Sequence, residues 1–126
     1  MAGPESVPSS NPSFTVRPHG ETCVVTFSHD TFNRLEIERV RDQLRSLIEN
    51  SPCCQFVIDF QHVTFMSSVI LGVVMGIHLH ICRRRGQLVL CGLAPHIFDI
   101  FKLMRLDHIL TIVPTVDDAI AMLRPA

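Results

Sequence analysis

An α/β domain, with a mixed sheet of about five strands flanked by about four helices, is the fold class this sequence predicts. Three observations predict it. Short apolar runs of strand character alternate with segments of ten or more residues whose apolar positions recur at helical spacing, and that alternation builds parallel sheets through right-handed crossovers. The first two runs are separated only by Pro18-His19-Gly20, a turn, so they form a hairpin at the start. The chain has 126 residues and a hydrophobic fraction of 47%, which suits a single folded core rather than two.

The elements follow in order. Residues 1–13 hold three prolines and four serines and read as a disordered leader, leaving 14–124 as the domain. Phe14 to Val16 is a short strand and Thr22 to Phe27 a second. Asn33 with Glu36 three residues on is a capping box. Behind it Ile37, Val40, Leu44, Leu47 and Ile48 make the apolar stripe of a surface helix, which Asn50-Ser51-Pro52 ends. Gln55 to Phe60 is a buried strand, and a polar turn then leads into a helix from about Ser68 to Arg84, stopped by Gly86. Gln87 to Cys91 is a strand. Pro95, in a first turn, starts a helix carrying Ile97, Phe98, Phe101 and Met104. Leu110 to Val113 is the last strand, and Thr115 with Asp118 caps a final helix to about Leu123.

The helix after Ser68 is unusual, because from Ser67 through Cys82 it holds no Asp, Glu, Lys or Arg. A helix laid on a sheet normally keeps a polar outer stripe. Val69, Val73 and Ile77 lie on a different side from Leu71, Met75 and His78, and only one set can face the sheet. The Pro95 helix covers the remainder, or part of it is a contact patch for a partner or a second copy of the chain.

Several function classes are excluded. A formal net charge of -1 without long runs of one sign proposes neither a nucleic-acid nor a membrane partner. The one basic cluster, Arg83-Arg84-Arg85, sits at a helix C-terminus, where cations complement the dipole and cap carbonyls. Met1 to Ser13 lacks the apolar stretch of a signal peptide, and the near-apolar run from Val69 to Leu79 is too short to span a bilayer. Five cysteines in no regular framework, with Cys23 and Cys91 inside apolar runs, indicate reduced thiols and a cytoplasmic setting. His78 and Cys82 share a helix face with His80 nearby, but the spacing of a metal site is absent, so no metal or other cofactor is expected. Gly72 and Gly76 lie inside a helix, where they suit close packing, and there is no phosphate loop and no nucleophile elbow.

The turn before the charge-free helix concentrates the remaining chemistry. Ser67 and Ser68 stand where unpaired backbone N–H groups and the positive end of the dipole favour an anion, although either serine also serves as an ordinary N-cap. Val57-Ile58-Asp59-Phe60, Val63-Thr64-Phe65-Met66, Ser67-Ser68, Leu71-Gly72-Val73, Gly86-Gln87-Leu88-Val89-Leu90, Gly92-Leu93-Ala94-Pro95 and Leu106-Asp107 follow in the order and spacing of a STAS domain. From residue 14 to 124 the chain resembles an anti-sigma-factor antagonist of that family.

The resemblance implies a non-catalytic regulator. It implies a serine at the start of the second helix that a histidine-kinase-like serine kinase, the anti-sigma factor, phosphorylates. The unphosphorylated domain then binds that partner and frees a sigma factor. The family pattern after Phe-Met is Asp-Ser-Ser-Gly-Leu-Gly. Aligned without a gap, Ser67 replaces the Asp, Ser68 is the phosphorylated serine, Val69 the second serine and Ile70 the first glycine; a one-residue slip would instead put Ser67 at the phosphosite. Partner contacts are then expected at Asp30 and Thr31, at Met66, Ser67, Ser68, Val69 and Ile70, at Gly72 and Val73, and at Pro95 and Phe98. The alternative implied by the same family is an accessory or structural subunit, either the partner of an ABC-type lipid-transport ATPase or a self-assembling module, without a phosphoswitch.

Overall fold

The computed structural model describes residues 13–123. Strand β1 (Phe14–His19) pairs antiparallel with β2 (Thr22–Phe27), with His19 opposite Thr22. The turn is therefore Gly20-Glu21, opened by φ +64° at Gly20, which glycine adopts without a steric penalty. Pro18 and His19 belong to the strand and not to the turn expected there. β1 is an edge strand, and an edge tolerates a residue with no N–H to donate.

Asn33 caps α1 (Arg34–Asn50) with both bonds of the capping box in place: the Glu36 N–H donates to Asn33 Oδ1 at 2.9 Å and the Asn33 N–H to Glu36 Oε1 at 2.8 Å. There follow β3 (Gln55–Asp59), α2 (Ser68–Arg83), β4 (Gln87–Cys91), α3 (Pro95–Leu103), a 3-10 turn at Leu106–His108, β5 (Thr111–Val113) and α4 (Val116–Leu123). The 3-10 turn was not expected. It carries Leu106 into the core, and Leu110 follows it inside, so the last strand begins at Thr111.

The strands lie in chain order β1-β2-β3-β4-β5, and β2 through β5 are parallel. Alternate strand residues face opposite ways. Val25, Phe27, Phe56, Ile58, Leu88 and Leu90 meet the apolar stripes of α1, α2 and α3 in the larger core. Val24, Val57, Val89 and Cys91 meet Ala119 and Leu123 of α4 in the smaller one. Covered on both faces, the central strands read as continuous apolar runs.

Helix α2 buries Ile70, Leu71, Val74, Ile77 and Ile81. That stripe takes members from both of the sets separated above and leaves Val69 on the surface. The helix lying along α2 is α1, not the Pro95 helix. At the end of α2 the left-handed residue is Arg85, with φ 60°, and not Gly86. Gly86 is needed for room: a Cβ there would stand 2.6 Å from the Cys54 carbonyl oxygen and 2.9 Å from Ile81 Cγ2. Of the basic cluster, the Arg84 guanidinium donates to the Ile48 carbonyl, capping the last turn of α1 as well as ending its own helix.

Candidate functional site

Three loops converge beyond the C-terminal edge of the parallel strands. β3 ends at Asp59, whose buried carboxylate accepts from the Gln61 backbone N–H at 3.0 Å and from Gln61 Nε2 at 2.7 Å. Gly92 lets the turn after β4 pass this carboxylate; with φ +73°, any Cβ there would run into Asp59 Oδ1. The segment between β3 and α2 is then held from two sides. The Asp30 carbonyl, in the loop after β2, accepts from the Thr64 and Phe65 N–H groups at 2.9 and 3.3 Å. His96 Nε2, in the first turn of α3, donates to the Thr64 carbonyl at 2.6 Å, which fixes the proton on that nitrogen.

Held in this way, the chain enters α2 at the two serines, and they have different environments. Ser67 is the N-cap: it is half-buried, and its Oγ accepts from the Ile70 N–H at 3.4 Å. Ser68 is the first helical residue, is exposed, and makes no side-chain hydrogen bond among the described residues. No acidic residue occupies the first turn of α2, so the dipole's positive end is not neutralised there. An exposed hydroxyl at such a place can take a phosphoryl group without unfolding the helix, and a charge added there would lie against the helix N-terminus.

Large apolar side chains are exposed on either side of Ser68 in the chain. Val69 is 59% exposed and Phe65, in the loop, 60%. Gly72 is exposed and Val73 half-buried on the next turn, Pro95 is exposed and Phe98 half-buried on α3, and Asp30 and Thr31 are exposed. Met66 and Ile70, expected as contact residues, are instead core residues at 6% and 2% exposure. The branched side chain of Ile70, where the family pattern has glycine, points inward and presents nothing to a partner. Phe65 was not anticipated. Val63 and Met66 fill the inward positions around it, and that left the third large apolar residue of the segment for the surface.

Two further concavities lie nearby. A cleft of about 360 Å³ between the start of α3 and β5 is lined by Leu93, Pro95, Phe98, Ile112, Val113 and Pro114. A groove of about 360 Å³ runs between α1 and α2, lined by Arg41, Arg45, Val69, Gly72, Val73, Gly76, Ile77 and His80. Nothing lies within 4 Å of a Cβ built on Gly72 or Gly76, so these glycines do not serve the internal close packing expected of them.

None of the five cysteines is in a disulfide. Burial, and then the Asp59 charge, push the Cys91 thiol up to about 12, so it is an inert core residue. Burial, followed by Cys53, raises Cys23 in the same direction. No group of three His, Cys, Asp or Glu side chains able to hold a metal occurs among the described residues; His78 and Cys82 pair only with each other, Sγ to Nε2 3.7 Å. No helix among them is long and apolar enough to cross a membrane.

Comparison with known proteins bears on the fold and the family. An anti-sigma-factor antagonist from Mycobacterium paratuberculosis superposes with a TM-score of 0.78 at 23% identity, covering 92% of this chain and 99% of that one. A putative anti-sigma factor antagonist from Thermotoga maritima gives 0.78 at 19% identity over 89% and 95% of the two chains. The Bacillus cell fate determinant SpoIIAA, in its phosphorylated form, gives 0.70 at 20% identity over 88% and 99%. At these identities the likeness is one of fold. The STAS domain pattern itself matches residues 13–119, most of the sequence and every strand of the sheet, and on that match the chain belongs to the STAS domain family.

Proposed function

We propose that this protein is a non-catalytic, cytoplasmic anti-sigma-factor antagonist whose binding to a histidine-kinase-like serine kinase is switched by phosphorylation of Ser68. The observation that carries the reading is the division of labour at the helix start. Ser67 satisfies the cap, which leaves Ser68 exposed, without a side-chain hydrogen bond among the described residues, and bordered by Phe65 and Val69. A structural cap needs one serine; the second is available for chemistry. The solved structures of similar fold include SpoIIAA in unphosphorylated and phosphorylated forms, which supports the reading.

The physics of the switch is desolvation. A phosphate adds about -1.5 to -2 charge beside the exposed apolar side chains of Phe65 and Val69. Burying that charge against a partner without a matching cation opposes binding by several kcal/mol, enough to abolish a micromolar contact. Asp30, Thr31, Ser68, Val69, Gly72, Val73, Pro95 and Phe98, together with Phe65, form the proposed contact surface. Met66 and Ile70 support it from below, and Ser67 acts as the cap.

The test is incubation with the cognate ATPase-kinase and ATP. Mass spectrometry should find one phosphate, on Ser68, and Ser68→Asp should lose the partner in a pull-down. Absence of phosphate on either serine, with full binding by Ser68→Asp, would remove the switch. The accessory-subunit reading would then stand in its place, supported by the stressosome architecture among the similar structures and by Ser67 where the family pattern has Asp.

A further inference from the structure

The groove between α1 and α2 has a composition that the fold of one chain does not explain. Gly72 and Gly76 lie one turn apart in the interior of α2, facing open space. Glycine inside a helix is unfavourable relative to alanine, and here no neighbour requires it. What two such glycines provide is a floor on which an outside backbone can approach closely, as small residues do where helices cross. Val69 and Val73 make the floor apolar, and Arg41 and Arg45, one turn apart on α1, give one wall positive charge.

A matching surface exists on the opposite side of the molecule. α4 covers the other face of the sheet and turns Asp117, Asp118, Ala121 and Met122 to solvent. Met122 is 58% exposed, and neither carboxylate has an ion-pair partner among the described residues. Arg45 has none either, and Arg41 meets only its neighbour Asp42, at 3.3 Å between exposed groups. An acidic helix with a small residue and a methionine on its outer face complements a basic groove floored by glycine in both charge and shape.

We propose that α4 of one copy docks in the α1–α2 groove of a second copy, its carboxylates against Arg41 and Arg45 and Met122 over Gly72 and Gly76. The two surfaces lie on opposite faces of one sheet, so the contact is head-to-tail. Such a contact does not close on itself as a two-fold dimer does; it continues into a chain of copies or a ring. A net charge of -1 leaves little overall repulsion to oppose this. The proposal rests on the reading of α2 as a contact surface. Val69 belongs both to this groove and to the border of Ser68, so assembly covers part of the surface offered to the kinase, and a phosphate on Ser68 repels the incoming α4.

The test is sedimentation velocity on the purified full chain up to about 500 µM, a range that captures weak contacts. Mass should rise with concentration past the dimer and fall with added salt. Arg41→Glu with Arg45→Glu, and separately Asp117→Lys with Asp118→Lys, should each weaken association at least about tenfold. An equimolar mixture of the two variants, or all four substitutions in one chain, should restore it. Gly76→Leu, which keeps a strong helix former in α2, should block association while the circular-dichroism spectrum stays unchanged. A wild type that stays monomeric throughout, a dimer that does not grow, or association unaffected by either charge reversal would each overturn the proposal. The Ser68 experiment needs the ATPase partner and this one needs only the chain, so either reading can fail alone.

Discussion

Adjacent serines give the residue scale its sharpest contrast. Ser67→Ala removes the oxygen that accepts from the Ile70 N–H, and should lower stability by about 1 kcal/mol in urea unfolding. Ser68→Ala removes no hydrogen bond and should leave the midpoint nearly unchanged while abolishing phosphorylation. Equal destabilisation by both would mean that the cap is shared. Gly92 offers a second test at this scale. Alanine there meets a left-handed backbone and the Asp59 carboxylate at once, so Gly92→Ala should destabilise by about 2 kcal/mol or more. The Cys91 thiol gives a third. Its folded pKa, about 12, lies above the ordinary 9.0, so the unfolded chain loses this proton first as pH rises. Its contribution is therefore whole below pH 9 and declines between about 9 and 12, with a limiting slope of about 1.4 kcal/mol per pH unit. Urea midpoints measured across that range should fall less steeply for Cys91→Ala than for wild type.

At the scale of single elements, what was legible in the sequence depended on how local its cause was. The Asn33–Glu36 capping box, the start of α3 at Pro95 and the Thr115 cap of α4 are each set by side chains within one turn, and all three stand as read. The stop of α2 was placed one residue late, because a glycine usually marks the left-handed position and here Arg85 takes it. Gly86 is reserved for a contact with Cys54, distant in sequence, that no local pattern contains. The charge-free α2 was recognised as unusual, but its buried stripe could not be phased from sequence, since nearly every position is apolar. Packing against the sheet and α1 selects Ile70, Val74, Ile77 and Ile81. The interior glycines of α2 allow a direct measurement: with nothing within 4 Å of the added Cβ, Gly72→Ala and Gly76→Ala should each raise stability by up to about 1 kcal/mol. A loss of stability would show that these positions are more crowded than the geometry indicates.

On the scale of the whole molecule, the α/β class, the hairpin start and the parallel later strands were all readable, because element type and order are written in periodicity. Which helix covers which face was not. That assignment follows from the handedness of the crossovers, which puts α1, α2 and α3 on one side and, among the described residues, leaves the second face to α4. The smaller core thus rests on one helix of eight residues. Ala119, fully buried where α4 meets the sheet, sets how closely that helix sits. Ala119→Leu should overpack the joint and destabilise by about 1–3 kcal/mol, read as a lowered thermal midpoint. Conservation of the midpoint would mean that α4 lifts away without loss. The helix start at the two serines was legible, while the outward turn of Phe65 and the burial of Met66 and Ile70 were not, because inward or outward facing around a loop is decided by tertiary contacts that carry no period.

The sheet's order has a consequence for how the chain assembles. Each strand hydrogen-bonds to the one made just before it, so a nascent polypeptide can add strands outward from the hairpin in the order of synthesis. Only the β1–β2 pairing closes over a tight turn; the parallel pairings, such as Thr22 with Gln55 and Gln55 with Gln87, each wait for a whole helical crossover, which slows them. Helix α4 is made after all five strands and covers their valine face, so synthesis halted before it would release a chain prone to clump.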